Sequence, residues 1–189
     1  MVPKYILKTI YYSLVGSHFN YGLLVWGSKS SDLMNLQKKI IRIISGAHFL
    51  SHTERLFKKE KILKISDTYK LNCLKLYFKF ENSQLPANIE SLFVKPLIDE
   101  HRYPTSNRLA RETYRLRERF ATSENAKSLI SYNLPKVVNS MPNLIVDKVF
   151  THSFESYKKY ASNYFLNNYS DENCVDPNCY SCNFIQTAS

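Results

Sequence analysis

Three of the four cysteines lie close together near the end of the chain, and thiols are its most readily reactive side chains. Cys174, Cys179 and Cys182 follow a C-x4-C-x2-C spacing. Thiolates at such a spacing can reach one tetrahedral zinc ion from a tight turn. A fourth ligand would have to come from His152, from Cys73 or from another chain. A reduced tail without metal explains the same residues equally well, so zinc and no cofactor stand as equal alternatives.

Basic side chains form the second candidate set, and they fall into two blocks. The 189 residues include 26 Lys plus Arg against 16 Asp plus Glu, a net charge of +10, which favours a polyanionic partner. Residues 1–66 hold 11 basic and 3 acidic side chains, and residues 101–150 hold 9 and 4. Solvated helix faces are the alternative reading, but an excess confined to two blocks favours nucleic acid. The residues expected to contact phosphates are Lys38, Lys39, Arg42, Lys58, Lys59, Arg111, Arg115, Arg117 and Arg119, with Tyr103 and Tyr114 as stacking partners for unpaired bases.

Catalytic signatures are missing from the sequence. Asp99-Glu100 and Asp171-Glu172 are the only adjacent acidic pairs, whereas two-metal phosphoryl transfer needs clustered carboxylates. The sequence contains no G-x-G-x-x-G, no P-loop, no H-E-x-x-H and no G-x-S-x-G. We therefore expect a binding protein and not an enzyme.

The elements that must position these side chains read as helices. Pro3 opens an apolar-periodic run that predicts a helix to about Val15, and residues 21–27 are apolar but of uncertain type. Ser30 or Ser31 caps the clearest helix, which Gly46 ends. Its predicted buried stripe consists of Leu33, Leu36, Ile40, Ile43 and Ile44.

Further helices follow in the middle of the chain. Ser51 and Glu54 have capping-box spacing and predict a short helix to about Glu60. Ser66 is expected to cap a long helix that supplies the centre of the core, and Pro86 to start a short one to about residue 93. The core residues predicted on the long helix are Tyr69, Leu71, Leu74, Tyr77, Phe78 and Phe80.

The second half of the chain is less regular. Residues 94–112 carry loop chemistry, and residues 111–119 are assigned to a helix. Pro135 and Pro142 bracket a short helix-like turn, and an amphipathic helix runs over residues 153–167. These boundaries divide the chain into a helical domain (1–98), a basic linker and segment (99–150), and an amphipathic helix with the cysteine tail (151–189).

The order of several short motifs resembles one family. The motifs are Leu7-Lys8-Thr9-Ile10-Tyr11-Tyr12-Ser13-Leu14-Val15, His18-Phe19-Asn20-Tyr21-Gly22, Val25-Trp26-Gly27, Leu36-Gln37-Lys38-Lys39-Ile40-Ile41-Arg42-Ile43-Ile44, Ser51-His52-Thr53, Leu56-Phe57, Ile62-Leu63-Lys64-Ile65 with Asp67 and Tyr69-Lys70-Leu71, Leu85-Pro86 and Asn139-Ser140-Met141-Pro142. Together they resemble the region after the polymerase palm in reverse transcriptases of non-LTR (LINE-like, jockey-type) retrotransposons. The resemblance covers about residues 5–142. It departs from the family at Leu134, where a Gly is usual, and at Val138, where a Trp is usual.

The resemblance implies a fold and a function. The fold would be mostly α, a small thumb-like helical bundle followed by a smaller helical or irregular C-terminal region. The palm with its catalytic aspartates would lie upstream, and this chain would grip template–primer or element RNA without a catalytic site. Its partners would be RNA or an RNA–DNA hybrid and the upstream polymerase domain. The cysteine clusters of the family's C-terminal regions, thought to hold zinc, favour the zinc alternative at Cys174, Cys179 and Cys182.

Two other functions remain open at this point. One is a helical protein–protein interaction module that uses the aromatic helix of residues 153–167, and the other is a translated relic without a selected function. The apolar start carries Lys4 and Lys8 and lacks a cleavage site, so we expect neither a signal peptide nor a membrane partner. Cysteine usage favours an intracellular location, cytoplasmic or nuclear.

Overall fold

The protein is mostly α-helical, as the sequence predicts. The computed structural model describes residues 2–27, 31–95 and 115–169, and this part of the chain contains no strand. Its α-helices are α1 (Lys4–Ile10), α2 (Ser17–Asn20), α3 (Leu23–Trp26), α4 (Ser31–Ser45), α5 (Glu54–Glu60), α6 (Ile65–Glu81), α7 (Ala87–Glu90), α8 (Glu124–Ser128), α9 (Ile130–Ser140), α10 (Asn143–Val146) and α11 (Phe154–Asn167). A π-helical turn (Tyr11–Gly16) joins α1 to α2, and a 3-10 helix (Asp147–Phe150) follows α10.

Two compact units are present, and each combines parts of the chain that are distant in sequence. The first unit consists of residues 1–23, 30–68 and 161–189, and the second of residues 24–29 and 69–160. Residue 98, the first predicted domain boundary, lies outside the described residues. The division into 1–98, 99–150 and 151–189 therefore stays a prediction.

The N-terminal helical run is longer than predicted, because α1, the π turn and α2 continue without a break to Asn20 instead of ending near Val15. Leu7, Tyr11, Val15 and Phe19 form its inward-facing series at a constant spacing of four. A step of four residues rotates about the helix axis by about 40° more than one full turn in an α-helix. In the wider π-helix the same step falls about 30° short of one full turn. The two errors offset each other, so the series stays on one side of the run.

The buried face of α4 differs from the predicted stripe. Gln37, Ile41 and Ile44 are buried, whereas Leu36 and Ile43 are exposed. Ile41 and Ile44 join Tyr11, Phe57, Ile62 and Tyr169 in the core of the first unit. The helix is rotated about its axis relative to the prediction because the Gln37 side-chain amide has its hydrogen-bond partners inside the unit. Gly46 ends the helix as predicted, with φ at +63°.

The short helix α5 begins at Glu54, so the predicted capping box does not form. Thr53 is its N-cap residue and makes no side-chain capping hydrogen bond. Lys61 ends the helix in a left-handed conformation with φ at 55°, which is unusual for a residue with a Cβ.

The long helix α6 begins at Ile65, one residue before the predicted cap. All six of its predicted core residues are buried, as are Ile65 and Cys73. The prediction of a central apolar helix is therefore confirmed.

The second unit contains one helix that is longer than predicted and one segment that is not helical as predicted. Pro135 lies inside α9, which runs through the region expected to form only a short turn. Residues 115–119 are irregular instead of helical, and residues 111–114 lie outside the described residues. The final helix α11 starts within one residue of its predicted position.

Candidate nucleic-acid interface

The phosphate contacts predicted in the first basic block lie on two neighbouring helices of the first unit. α4 and α5 pack against each other, and the Ser45 hydroxyl of α4 donates to Glu60 Oε1 of α5 over 3.4 Å. Lys39 on α4 and Lys59 on α5 are exposed, and Lys38 is partly buried. These three lysines are among the residues that the sequence predicts to contact phosphates.

Two other members of this block hold the unit together. Arg42 Nε donates to the carbonyl of Ser51 over 2.9 Å. Lys58 Nζ donates to the carbonyl of Tyr169 over 3.1 Å. Both side chains therefore have structural partners, and their predicted phosphate contacts stay predictions.

Two carboxylates of this unit, Glu54 and Glu60, are engaged away from the exposed lysines. The Glu60 side chain is only 1% exposed and pairs with Lys4 and with Lys8, whose Nζ lies 3.0 Å from Oε2. Burial raises the pKa of Glu60, but the hydrogen bonds and charges of Lys4 and Lys8 outweigh it, so the pKa is lowered. Glu54 pairs with Lys64 over 2.7 Å. Neither carboxylate neutralises Lys39 or Lys59.

The second basic block lies in the second unit, and Arg115 is its structural member. The backbone N–H groups of Arg115 and Leu116 donate to Asn139 Oδ1, and Asn139 Nδ2 donates back to the Leu116 carbonyl over 2.9 Å. The Arg115 guanidinium donates to the Met141 carbonyl and to Asn143 Oδ1. Arg115 thus connects the irregular segment to the end of α9 and the start of α10.

Two tyrosines lie within the electrostatic reach of Arg115. Burial raises the pKa of Tyr77, with Glu81 acting in the same direction and Arg115 against it. Burial also raises the pKa of Tyr157, and Arg115 again opposes it. The Tyr157 hydroxyl is buried and makes no hydrogen bond within the described part of the chain.

Arg117 and Arg119 are the exposed members of the second block. The Arg117 backbone N–H donates to the Val94 carbonyl over 2.8 Å, and Arg119 Nη2 donates to the Leu92 carbonyl over 3.0 Å. Arg111, Tyr103 and Tyr114 lie outside the described residues. The phosphate contacts predicted in the first block, on α4 and α5, belong to the first unit, and those predicted in the second block belong to the second unit.

The cysteine cluster at Cys174, Cys179 and Cys182 also lies outside the described residues. Cys73 is fully buried in α6, and burial raises the pKa of its thiol to about 12, against a smaller lowering by Tyr69. Elsewhere in the described ranges, no group of three or more His, Cys, Asp and Glu side chains could hold a metal.

Three polar residues that organise the first unit were missed by the sequence analysis. Gln37 Nε2 donates to Tyr11 Oη over 2.8 Å and to the Leu63 carbonyl over 2.9 Å, and its Oε1 accepts from the Ile65 N–H. Tyr169 Oη accepts from the Lys64 N–H and donates to Asp67 Oδ2. The only sequence signal is the spacing of Gln37 from Ile41 and Ile44, and nothing in the pattern indicates Tyr169 or Glu60.

Comparison with known proteins adds no relative. No family model, no curated protein and no solved structure matches the chain. Within the described ranges no helix has the length and apolar character needed to cross a bilayer. The fold and site thus define a mostly α-helical protein with exposed basic residues in each of its two units.

Proposed function

We propose that this chain binds nucleic acid as a remnant of a retroelement RNA-directed DNA polymerase, gripping template–primer or element RNA without a catalytic site of its own. The observation that carries the proposal is the pair of exposed lysines on α4 and α5, Lys39 and Lys59, with which neither Glu54 nor Glu60 pairs. RNA or an RNA–DNA hybrid is the proposed ligand. The resemblance adds the upstream polymerase domain as a second partner.

The charge distribution supports a phosphate-binding surface. Residues 1–66 contain only three acidic side chains, and two of them, Glu54 and Glu60, are engaged with Lys4, Lys8 and Lys64. The excess positive charge is left on α4, on α5 and at Lys61, which is also exposed. Neutralisation of phosphates by such lysines releases counterions, which makes binding favourable and strongly salt-dependent.

The test is a fluorescence-anisotropy titration of the full chain with a short structured RNA at about 50 and 200 mM salt. Six to ten phosphate contacts would weaken binding by about 10³- to 10⁵-fold over that range. Lys39→Ala combined with Lys59→Ala should reduce the slope of log K against log salt by about 1.4 to 1.8. Lys158→Ala combined with Lys159→Ala is the matched control, because both lysines are exposed on α11 and outside the two blocks.

Absence of binding at low salt would overturn the proposal. An unchanged slope in the α4–α5 double variant, with the wild type binding tightly, would show that this surface is not the phosphate site. Both variants remove exposed side chains only, so circular dichroism should show the same helix content as the wild type.

The alternative is a helical protein–protein interaction module, and one observation favours it. Tyr5, Tyr12 and Leu14 are exposed along the N-terminal helical run. By contrast, Tyr157 and Phe165 are buried, so the face of α11 suggested by the sequence is already used in packing. This function predicts association that depends on concentration and not on salt, and that Tyr5→Ser with Tyr12→Ser abolishes in sedimentation velocity.

A further inference from the structure

Phe120 is an aromatic side chain that the fold leaves almost wholly in solvent. It is 93% exposed and lies in the irregular segment between Leu116 and α8. Burial of a phenylalanine contributes about 1.5–3 kcal/mol to a fold, and Phe120 contributes almost none of this. Its ring is therefore available to a ligand.

The backbone on both sides of Phe120 is held in place. Leu116 is fully buried, and the Arg117 N–H donates to the Val94 carbonyl. After Phe120, the Ser123 hydroxyl caps α8 by accepting from the Ala126 N–H over 3.2 Å. A ring displayed from an anchored segment loses little conformational entropy when a ligand covers it.

The charges around Phe120 select an anionic ligand. Exposed Arg117 and Arg119 precede it in the segment, and the guanidinium of Arg119 is fixed to the Leu92 carbonyl. Glu118 is the acidic residue of the segment, and its carboxylate accepts from Asn139 Nδ2 over 3.2 Å. An exposed aromatic residue within three positions of exposed cationic residues is a combination with which proteins stack unpaired bases while neutralising their phosphates.

We propose that Phe120, together with Arg117 and Arg119, is a stacking platform for an unpaired base of a nucleic-acid strand. This inference rests on the proposed nucleic-acid-binding function and narrows it to an unpaired strand at the second unit. The ring stacks on the base, and Arg117 contacts an adjacent phosphate.

The experiment compares the full-length chain and its variants on a single-stranded RNA of about 12 nucleotides and on the same RNA in a duplex. Anisotropy measures affinity, and a 2-aminopurine base in the RNA reports stacking through its fluorescence. Phe120→Ala should weaken single-strand binding about 5- to 150-fold, leave the salt slope unchanged and remove the 2-aminopurine signal. Duplex binding should not change, and Phe120→Trp should retain both signals.

Two further variants separate stacking from charge and from general surface effects. Arg117→Ala should reduce the single-strand salt slope by about 0.7 while it retains the 2-aminopurine signal. Phe150→Ala is the matched control, because Phe150 is also exposed, at 67%, and lies in the same unit. It should bind like the wild type.

The outcomes distinguish the two proposals. A wild type that binds RNA while Phe120→Ala binds the single strand equally well would overturn the stacking platform and leave the proposed function standing. A wild type that binds neither the single strand nor the duplex at low salt would overturn both.

Discussion

The buried hydroxyls of two tyrosines have opposite surroundings, although both rings lie in the core. Tyr169 Oη joins Asp67 and the Lys64 N–H at 2.7 and 2.9 Å, whereas Tyr157 Oη makes no hydrogen bond with the described residues. A buried polar group without a partner costs free energy, whereas one that satisfies two others is expensive to remove. The same chemical change should therefore have different effects at the two sites.

Replacement of each tyrosine by phenylalanine tests this contrast. Tyr169→Phe should lower the free energy of unfolding by about 1–3 kcal/mol, because Asp67 and the Lys64 N–H each lose a hydrogen bond. Tyr157→Phe should leave it unchanged or raise it by up to about 1 kcal/mol, because only an unpaired hydroxyl is lost. Urea unfolding followed by circular dichroism measures both, and equal destabilisation by the two variants would contradict the assignment.

Glu60 makes the stability of the first unit depend on pH in the acidic range. Its pKa is lowered because the hydrogen bonds and charges of Lys4 and Lys8 outweigh the opposing effect of burial. A lowered folded-state pKa contributes stability above the unfolded-state value of about 4.3, and that contribution is lost as the pH falls through the folded-state pKa. Glu60→Gln should cost about 1–3 kcal/mol at pH 7.

The pH profile is the critical measurement for Glu60. The stability difference between wild type and Glu60→Gln should shrink as the pH falls below about 4, because the protonated glutamate then resembles the glutamine. Glu118→Gln is a control, since Glu118 is exposed and lies in the second unit. A difference that persists unchanged at low pH would show that the glutamine acts through packing and not through charge.

At the scale of the elements, helix ends are specified by backbone conformation at two positions. Gly46 and Lys61 both follow helices with positive φ, at 63° and 55°. Only glycine adopts this conformation without cost from a Cβ. A Cβ at Gly46 would meet no atom within 4 Å, so any effect of a substitution there is conformational.

The two positions should respond in opposite directions. Gly46→Ala should lower the free energy of unfolding by about 1 kcal/mol. Lys61→Gly should raise the free energy of unfolding by about 0.5 kcal/mol. This gain is smaller than the backbone strain that is relieved, because glycine also increases the conformational entropy of the unfolded chain. Thermal unfolding of the two variants and their combination measures these effects. A stabilising Gly46→Ala would contradict the proposed helix end.

The elements also show how far the sequence predicts this fold. The helix positions of α4, α6 and α11 follow from apolar periodicity and are confirmed. The rotation of α4 could not be predicted, because apolar residues at 40, 41, 43 and 44 fit two different faces and the polar Gln37 favours the wrong one. Its buried position depends on Tyr11 and on the α6 start, contacts that no local pattern encodes. The prediction of a short turn at Pro135 was wrong for a similar reason, because tertiary packing overrides the tendency of proline to break a helix.

The candidate site was predictable only in part, for a related reason. Lys39 and Lys59 are exposed because they fall outside the apolar positions of their own helices, which is a local property. The structural roles of Arg42, Lys58 and Arg115 depend on carbonyls distant in sequence, for example the Tyr169 carbonyl, 111 positions from Lys58. Phe120 was missed because its segment is irregular and has no period to mark an exposed face.

At the scale of the whole molecule, the net charge of +10 should govern how stability depends on salt. Like charges repel in the compact state, and salt screens that repulsion over a Debye length of about 8–10 Å. Raising NaCl from about 10 to 150 mM should therefore raise the Tm of the wild type. Screening also weakens the partly exposed ends of the Glu60 ion pairs, but these involve only two of the basic residues.

Variants that change either the charge repulsion or the ion-pair attraction show which of the two dominates. Lys39→Ala with Lys59→Ala removes two repelling charges, so it should raise the Tm at low salt and reduce the gain from added salt. Glu60→Gln removes an attraction and increases the net charge, so the gain from added salt should become larger. A wild-type Tm that falls as salt is added would mean that the ion pairs of Glu60 and Glu54 outweigh the repulsion. The exposed lysines would then be compensated within the fold, and the phosphate surface proposed on α4 and α5 would lose its electrostatic basis.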